Sequence, residues 1–101
     1  FYPGQFIYAH SEGNYVVFHL LDQEKSRDVM IRNSISEIEQ QLSGIHYFLR
    51  IHRAFIVNLR KVTSKRGNSL GYRLKLSGSD EVIPVSRQNT QKFDQQIKDH
   101  Q

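Results

Sequence analysis

The sequence predicts a mostly β domain: about eight or more short strands in antiparallel sheets, with one helix mid-chain and a short one at the end. Three observations carry this. Val16, Phe18 and Leu20, and later Tyr72, Leu74 and Leu76, alternate with other residues, which puts each set on one face of a strand. Turn-forming clusters punctuate the chain at short intervals: Gly13-Asn14, Asp22-Gln23-Glu24, Gly67-Asn68-Ser69 and Ser77-Gly78-Ser79-Asp80. Only Ile35, Ile38 and Leu42, and then Phe93 and Ile97, recur at helical spacing.

Taken in order, Tyr2-Pro3-Gly4 reads as an opening turn and Phe6-Ile7-Tyr8-Ala9 as a short strand. Ser11-Glu12-Gly13-Asn14 is a loop in which Gly13 or Asn14 can take positive φ. Tyr15 to Leu21 and Lys25 to Ile31 form a hairpin, with Val29 and Ile31 alternating inward. Ser34, with Glu37 three residues on, is a capping box that opens the first helix. Gly44 stands where a left-handed cap would close it. Leu59 to Val62 lead into another strand, and Leu70 to Leu76 return it. Pro84 sends the last strand, Glu81 to Val85, to an edge or a bulge. Ser86 is placed to cap the final helix, and the tail beyond Lys98 is polar.

The chain is organised around residues 48–58, Phe48-Leu49-Arg50-Ile51-His52-Arg53-Ala54-Phe55-Ile56-Val57-Asn58. Leu49 and Ile51 alternate with Arg50 and His52, so one face is buried. Phe55, Ile56 and Val57 are continuous, which suits a strand buried on both faces. Arg53 falls on the short connection between these two core strands. A rigid scaffold that presents a residue on a turn is the usual construction of a recognition loop.

Charge points the same way. Residues 1–39 carry a net −3 and residues 80–101 a net −1, whereas residues 40–79 carry eight cations and no acid. An acid-free stretch around the organising segment suits a polyanion. Cysteine is absent, which excludes disulfides, thiol catalysis and Cys-ligated zinc. No apolar run approaches the roughly 20 residues of a membrane span, and no signal-peptide pattern is present. The five histidines show no ligand spacing, and neither a glycine-rich phosphate loop nor a Gly-x-Ser-x-Gly elbow occurs. The sequence therefore reads as non-enzymatic, without cofactor, metal or small-molecule substrate. The start at Phe1, with Met30 the only methionine, reads as one domain, residues 1–101, cut from a longer protein.

Gly13-Asn14-Tyr15-Val16-Val17, the Ser34–Leu42 helix, the Arg50-Ile51-His52-Arg53 to Val57-Asn58 segment and Ile83-Pro84-Val85-Ser86-Arg87, in that order and spacing, resemble the LytTR family of bacterial DNA-binding domains. The match runs over roughly residues 6 to 93, and its middle segment is the specific one. The resemblance implies an elongated fold of stacked antiparallel sheets whose loops enter successive major grooves of duplex DNA. It implies a transcription-regulating output domain of a response regulator, binding direct repeats as a dimer through a missing N-terminal domain. It also implies a cytoplasmic protein, free or tethered to the inner membrane.

Position by position, the resemblance implies base contacts from Asn14, Arg53 and Arg87. Arg can bind guanine O6 and N7 with two parallel bonds, and Asn can pair with a base edge. Ser11, Arg50, His52, Lys61, Lys65 and Asn89 are then expected on phosphates, where they set register. Asn58 matches a near-universal family asparagine and is expected to satisfy backbone groups at the end of a buried strand. Ala9-His10 departs from the aliphatic–acidic pair common in the family and leaves His10 without a role. Two rival readings are a β module for an acidic protein, and an RNA or single-strand binder that stacks bases on Tyr8, Tyr15, Tyr47 or Tyr72.

Overall fold

The computed structural model describes residues 1–100. Among these, eight strands and two helices follow in the order β1 (Phe6–Glu12), β2 (Tyr15–Asp22), β3 (Lys25–Arg32), α1 (Ile35–Gln41), β4 (Phe48–His52), β5 (Phe55–Asn58), β6 (Val62–Asn68), β7 (Gly71–Leu76), β8 (Val82–Ser86) and α2 (Thr90–Ile97). One sheet has the order β3-β2-β1-β5-β4 and the other β6-β7-β8, and the pairings are antiparallel.

The five-stranded sheet is the middle layer. Phe6, Ala9, Val16, Phe18, Leu20 and Ile56 point from it toward Ile35 and Ile38 of α1. From its other face Ile7, Tyr8, Leu49, Ile51 and Val57 meet Leu74, Leu76, Ile83 and Val85 of the second sheet and Phe93 and Ile97 of α2. Ile56 and Val57 thus feed opposite cores, at 2% and 0% exposure, as the continuous apolar run requires. Each such side chain contributes about 1.5–3 kcal/mol of burial. Strand β1 reaches both cores through a bulge. Phe6 pairs with Leu20 and Tyr8 with His19, so Ile7 is left over and joins Tyr8 on the same face. The principal extents are 32 × 28 × 25 Å, so the elongation is slight: the sheets stack face to face.

Local chemistry sets the boundaries. Gly13 takes φ 59° and closes β1 onto β2 in two residues, so β1 runs to Glu12 and carries Ser11 inside a strand. The β2–β3 turn uses Gln23 and Glu24 at φ 49° and 69°, a left-handed pair built without glycine. Ser34 caps α1 by accepting from Glu37 N at 3.1 Å, but Asn33 Oδ1 takes Ser34 N at 2.8 Å. Asn33 therefore replaces the second arm of the expected capping box. Gly44 is not left-handed, contrary to expectation. The chain leaves α1 through tight turns, Ser43 N to Gln40 O and Ile45 N to Leu42 O, which satisfy the last carbonyls without it. Ile31 is 41% exposed rather than inward: β3 is an edge strand. Pro84 sits on β8, an edge strand, where its missing N–H costs no ladder bond.

Candidate nucleic-acid interface

Strand directions bring four separate connections to one end of the molecule. Tyr15 pairs with both Glu12 and Arg32, and His10 with Phe55, which itself faces His52. The β1–β2 turn, the end of β3 and the β4–β5 turn therefore share an edge. Ser86 of β8 joins them, since its hydroxyl donates to Ile51 O at 3.4 Å. The chain then makes a short helical turn, Arg87–Asn89, before α2. Asn14, Arg53 and Arg87 are all exposed at this end.

The β4–β5 turn is held from several sides. Ala54 O accepts from Ser11 N at 3.0 Å, and Ala54 N donates to His52 Nδ1 at 3.1 Å. Arg50 Nη2 donates to Arg53 O at 2.6 Å and its Nε to His52 O at 3.4 Å. A register shift between Arg50 and His52 re-aims the His52 ring, which meets Phe55 edge-on at 5.5 Å. Because Nδ1 accepts, the His52 proton sits on Nε2, so the ring offers a phosphate one neutral donor and no charge. Burial first, then the Arg53 and Arg50 guanidiniums, hold its pKa below the ordinary histidine value.

Arg53 and Arg87 rim a shallow cleft of about 540 Å³, together with His52, Arg50, Asn89 and Lys92. Asn89 Nδ2 donates to Ser86 Oγ at 2.6 Å. Ser86 therefore ties β8 to β4 and to Asn89 and makes no side-chain cap on the following helix. Asn14 lies beside a second hollow lined by Arg32, Asn33 and Ser34, and its carbonyl accepts from Asn33 N at 3.1 Å.

The remaining expected phosphate residues are scattered. Ser11 is half-buried in β1 beside the turn. Arg50 lies at the cleft, with its guanidinium bonded inward. Lys61 is at the opposite end of the molecule, where its carbonyl accepts from Ser77 N at 2.7 Å. Lys65 is exposed on β6 and paired with Asp94 at 3.2 Å. Sequence reasoning missed Arg32 and Lys92. Arg32 could have been found from the β2–β3 hairpin register, which places it opposite Tyr15 next to Asn14. Lys92 precedes Phe93, whose burial turns it outward.

His10 gains a place as well. Its Nδ1 lies 2.8 Å from His19 Nε2, and His19 Nδ1 is 2.9 Å from Asp28 Oδ1. The His19 ring stacks on Tyr8 at 4.1 Å, and burial, against the pull of Asp28, holds its pKa below the ordinary value. Asn58 is 1% exposed; its Nδ2 donates to Phe6 O at 2.9 Å and its Oδ1 accepts from Arg60 N at 2.9 Å. That is the structural duty expected of it. Tyr8 and Tyr72 are 4% and 9% exposed, and Tyr47 lies under the Arg60 guanidinium at 3.8 Å. Tyr15 is 39% exposed beside Asn14, so among these four tyrosines a single face, not a row, is open to a base.

The family model of the LytTr DNA-binding domain matches residues 3–98. Among solved structures, the chain is similar to the LytTr DNA-binding domain of a putative methyl-accepting/DNA response regulator from Bacillus cereus. That similarity is 20% in sequence, with a TM-score of 0.77 over 94% of this chain and 83% of the other. No curated protein matches the chain. With nearly its whole length covered by one family, and with that family's sheets in place, the chain belongs to the LytTr DNA-binding domains.

Proposed function

We propose that this end of the molecule reads the sequence of double-stranded DNA, with Asn14, Arg53 and Arg87 reaching base edges in successive major grooves. The observation that carries the reading is the convergence of three connections, distant in sequence, that each present an exposed polar or cationic tip at one edge. Arg53 stands on a backbone pinned on both sides, so its reach is defined and its fork is available to a guanine edge. Arg32, Lys92, Asn89 and Ser11 surround these tips and suit the phosphate backbone.

On this reading the single domain is the output end of a longer response regulator. It works in the cytoplasm, free or tethered to the inner membrane, and controls transcription. Two copies occupy direct repeats, joined through a part of the protein N-terminal to this one. Binding assays with duplex, single-stranded and RNA competitors test the reading. Duplex is expected to win, with a log–log salt slope of roughly −0.9 per phosphate contact. Preference for single strands or RNA, or a flat salt dependence, refutes it.

A further inference from the structure

We infer that Arg50 is a positioning residue for base reading: it fixes the turn that carries Arg53 to helix α1 and makes no phosphate contact itself. The inference rests on the DNA-reading role proposed above and assigns that role's geometry to a residue outside the contact set. A guanidinium has five N–H groups. Here Nη1 donates to Ser36 Oγ at 2.9 Å and to Glu39 Oε1 at 3.1 Å, which uses both of its hydrogens. Nε goes to His52 O and one hydrogen of Nη2 to Arg53 O. Four of five donors are thus directed inward, the side chain is 20% exposed, and Glu39 neutralises the charge.

The two carbonyls that Arg50 bridges, His52 O and Arg53 O, flank the Arg53 Cα. Holding both fixes the peptide planes on either side of that residue and so the direction in which its side chain leaves the turn. Ser11 and the His52 ring hold Ala54 from the other side. Arg50 is the side chain that ties this assembly to helix α1. A planar fork is needed, because the bonds diverge toward a helix on one side and a turn on the other. A lysine could pair with Glu39 but could not also span to the turn. Recognition side chains need this kind of support to hold productive geometry.

The test uses the full chain, a duplex selected by it from a random pool, and a scrambled duplex. Arg50→Lys is expected to lower the preference for the selected duplex about tenfold, comparable to weakening one bidentate base contact. The salt slope on the scrambled duplex should not change, since no phosphate contact is lost. Ser36→Ala combined with Glu39→Gln disturbs only the helix side and should lower the preference in the same direction. Adding Arg50→Lys to that pair should cost little more, because the residues act as one unit. If Arg50→Lys fails to fold, the Ser36 and Glu39 changes decide alone. Equal weakening on both duplexes, with the slope reduced by about one contact, would make Arg50 a phosphate ligand and overturn the inference. So would an unchanged preference in the helix-side variant. A wild-type chain with no duplex preference at all sinks the base-reading role itself, and this inference with it.

Discussion

Replacing the Arg53 guanidinium separates reading from holding. Arg53→Ala should cost about 1–3 kcal/mol on the selected duplex and blur one base position, whereas Arg53→Lys should recover non-specific affinity but little of that preference. Neither should move the melting temperature, since the side chain is exposed on the turn. Asn58 is the opposite case. Asn58→Ala strands Phe6 O in the core and leaves the part-buried Arg60 N without its partner, and should lower stability by about 2 kcal/mol in urea titrations, with DNA contacts untouched. The histidines give a pH dependence of defined sign. His52 and His19 are both held below their ordinary value in the folded chain, chiefly by burial. Unfolded, they take protons near pH 6.5, so the unfolded state binds more protons below that value. Their contribution to stability is present above it and lost as pH falls through the window beneath it. Melting temperature should drop between roughly pH 7 and 5, and His52→Asn, whose Oδ1 can still accept from Ala54, should make the drop shallower. An unchanged pH profile in that variant would remove His52 from the account.

At the scale of elements, the hairpins differ in how well their turns suit their residues. Gln23 and Glu24 occupy left-handed conformations that L side chains resist. Gln23→Asn with Glu24→Gly should relieve this and stabilise the domain by about 1 kcal/mol. The β6–β7 hairpin depends on Gly67 at φ 115°, where a Cβ would collide with Gly71 O and press on the Tyr72 Cα. Gly67→Ala should therefore cost about 1–3 kcal/mol, read as a lower melting temperature. Both hairpins were legible, but β6 runs on through Gly67 and Asn68, so the second turn is Ser69-Leu70 rather than the expected Gly67-Asn68-Ser69. The left-handed strain at Gln23 was not legible, because neither Gln nor Glu signals it. The missing cap function of Ser86 was hidden for a related reason: its hydroxyl serves Ile51 O, a partner 35 positions away.

The whole molecule divides its cations by end. Lys92 lies at the cleft, while Lys61 lies a sheet's length away. Lys92→Ala should weaken selected and scrambled duplexes alike and reduce the salt slope by about one contact. Lys61→Ala should leave both nearly unchanged; an equal effect from the two would mean that DNA meets more than one end of the domain. If two copies bind direct repeats on one face of the duplex, inserting half a helical turn between repeats should abolish cooperative binding. Gel shifts with spaced repeats measure this.

Local pattern was sufficient for the strand and helix inventory, the two-sided burial of Ile56 and Val57, and the turn that carries Arg53. Period-2 alternation, helical spacing and turn residues act between near neighbours, so a linear reading captures them. Family likeness in residues 50–58 and 83–87 added membership of a DNA-binding family and the proposed reading role, through side-chain types suited to base edges. The tertiary structure alone decided which cations share a surface. It set Lys61 apart from the cleft, paired Lys65 with Asp94, brought in Lys92 and Arg32, and turned Arg50 inward onto Ser36 and Glu39. The physical reason is that charge and hydrogen bonding act through space. A guanidinium bonds to whatever acceptors the folded backbone brings within about 3 Å, and sheet stacking, not sequence spacing, chooses those acceptors.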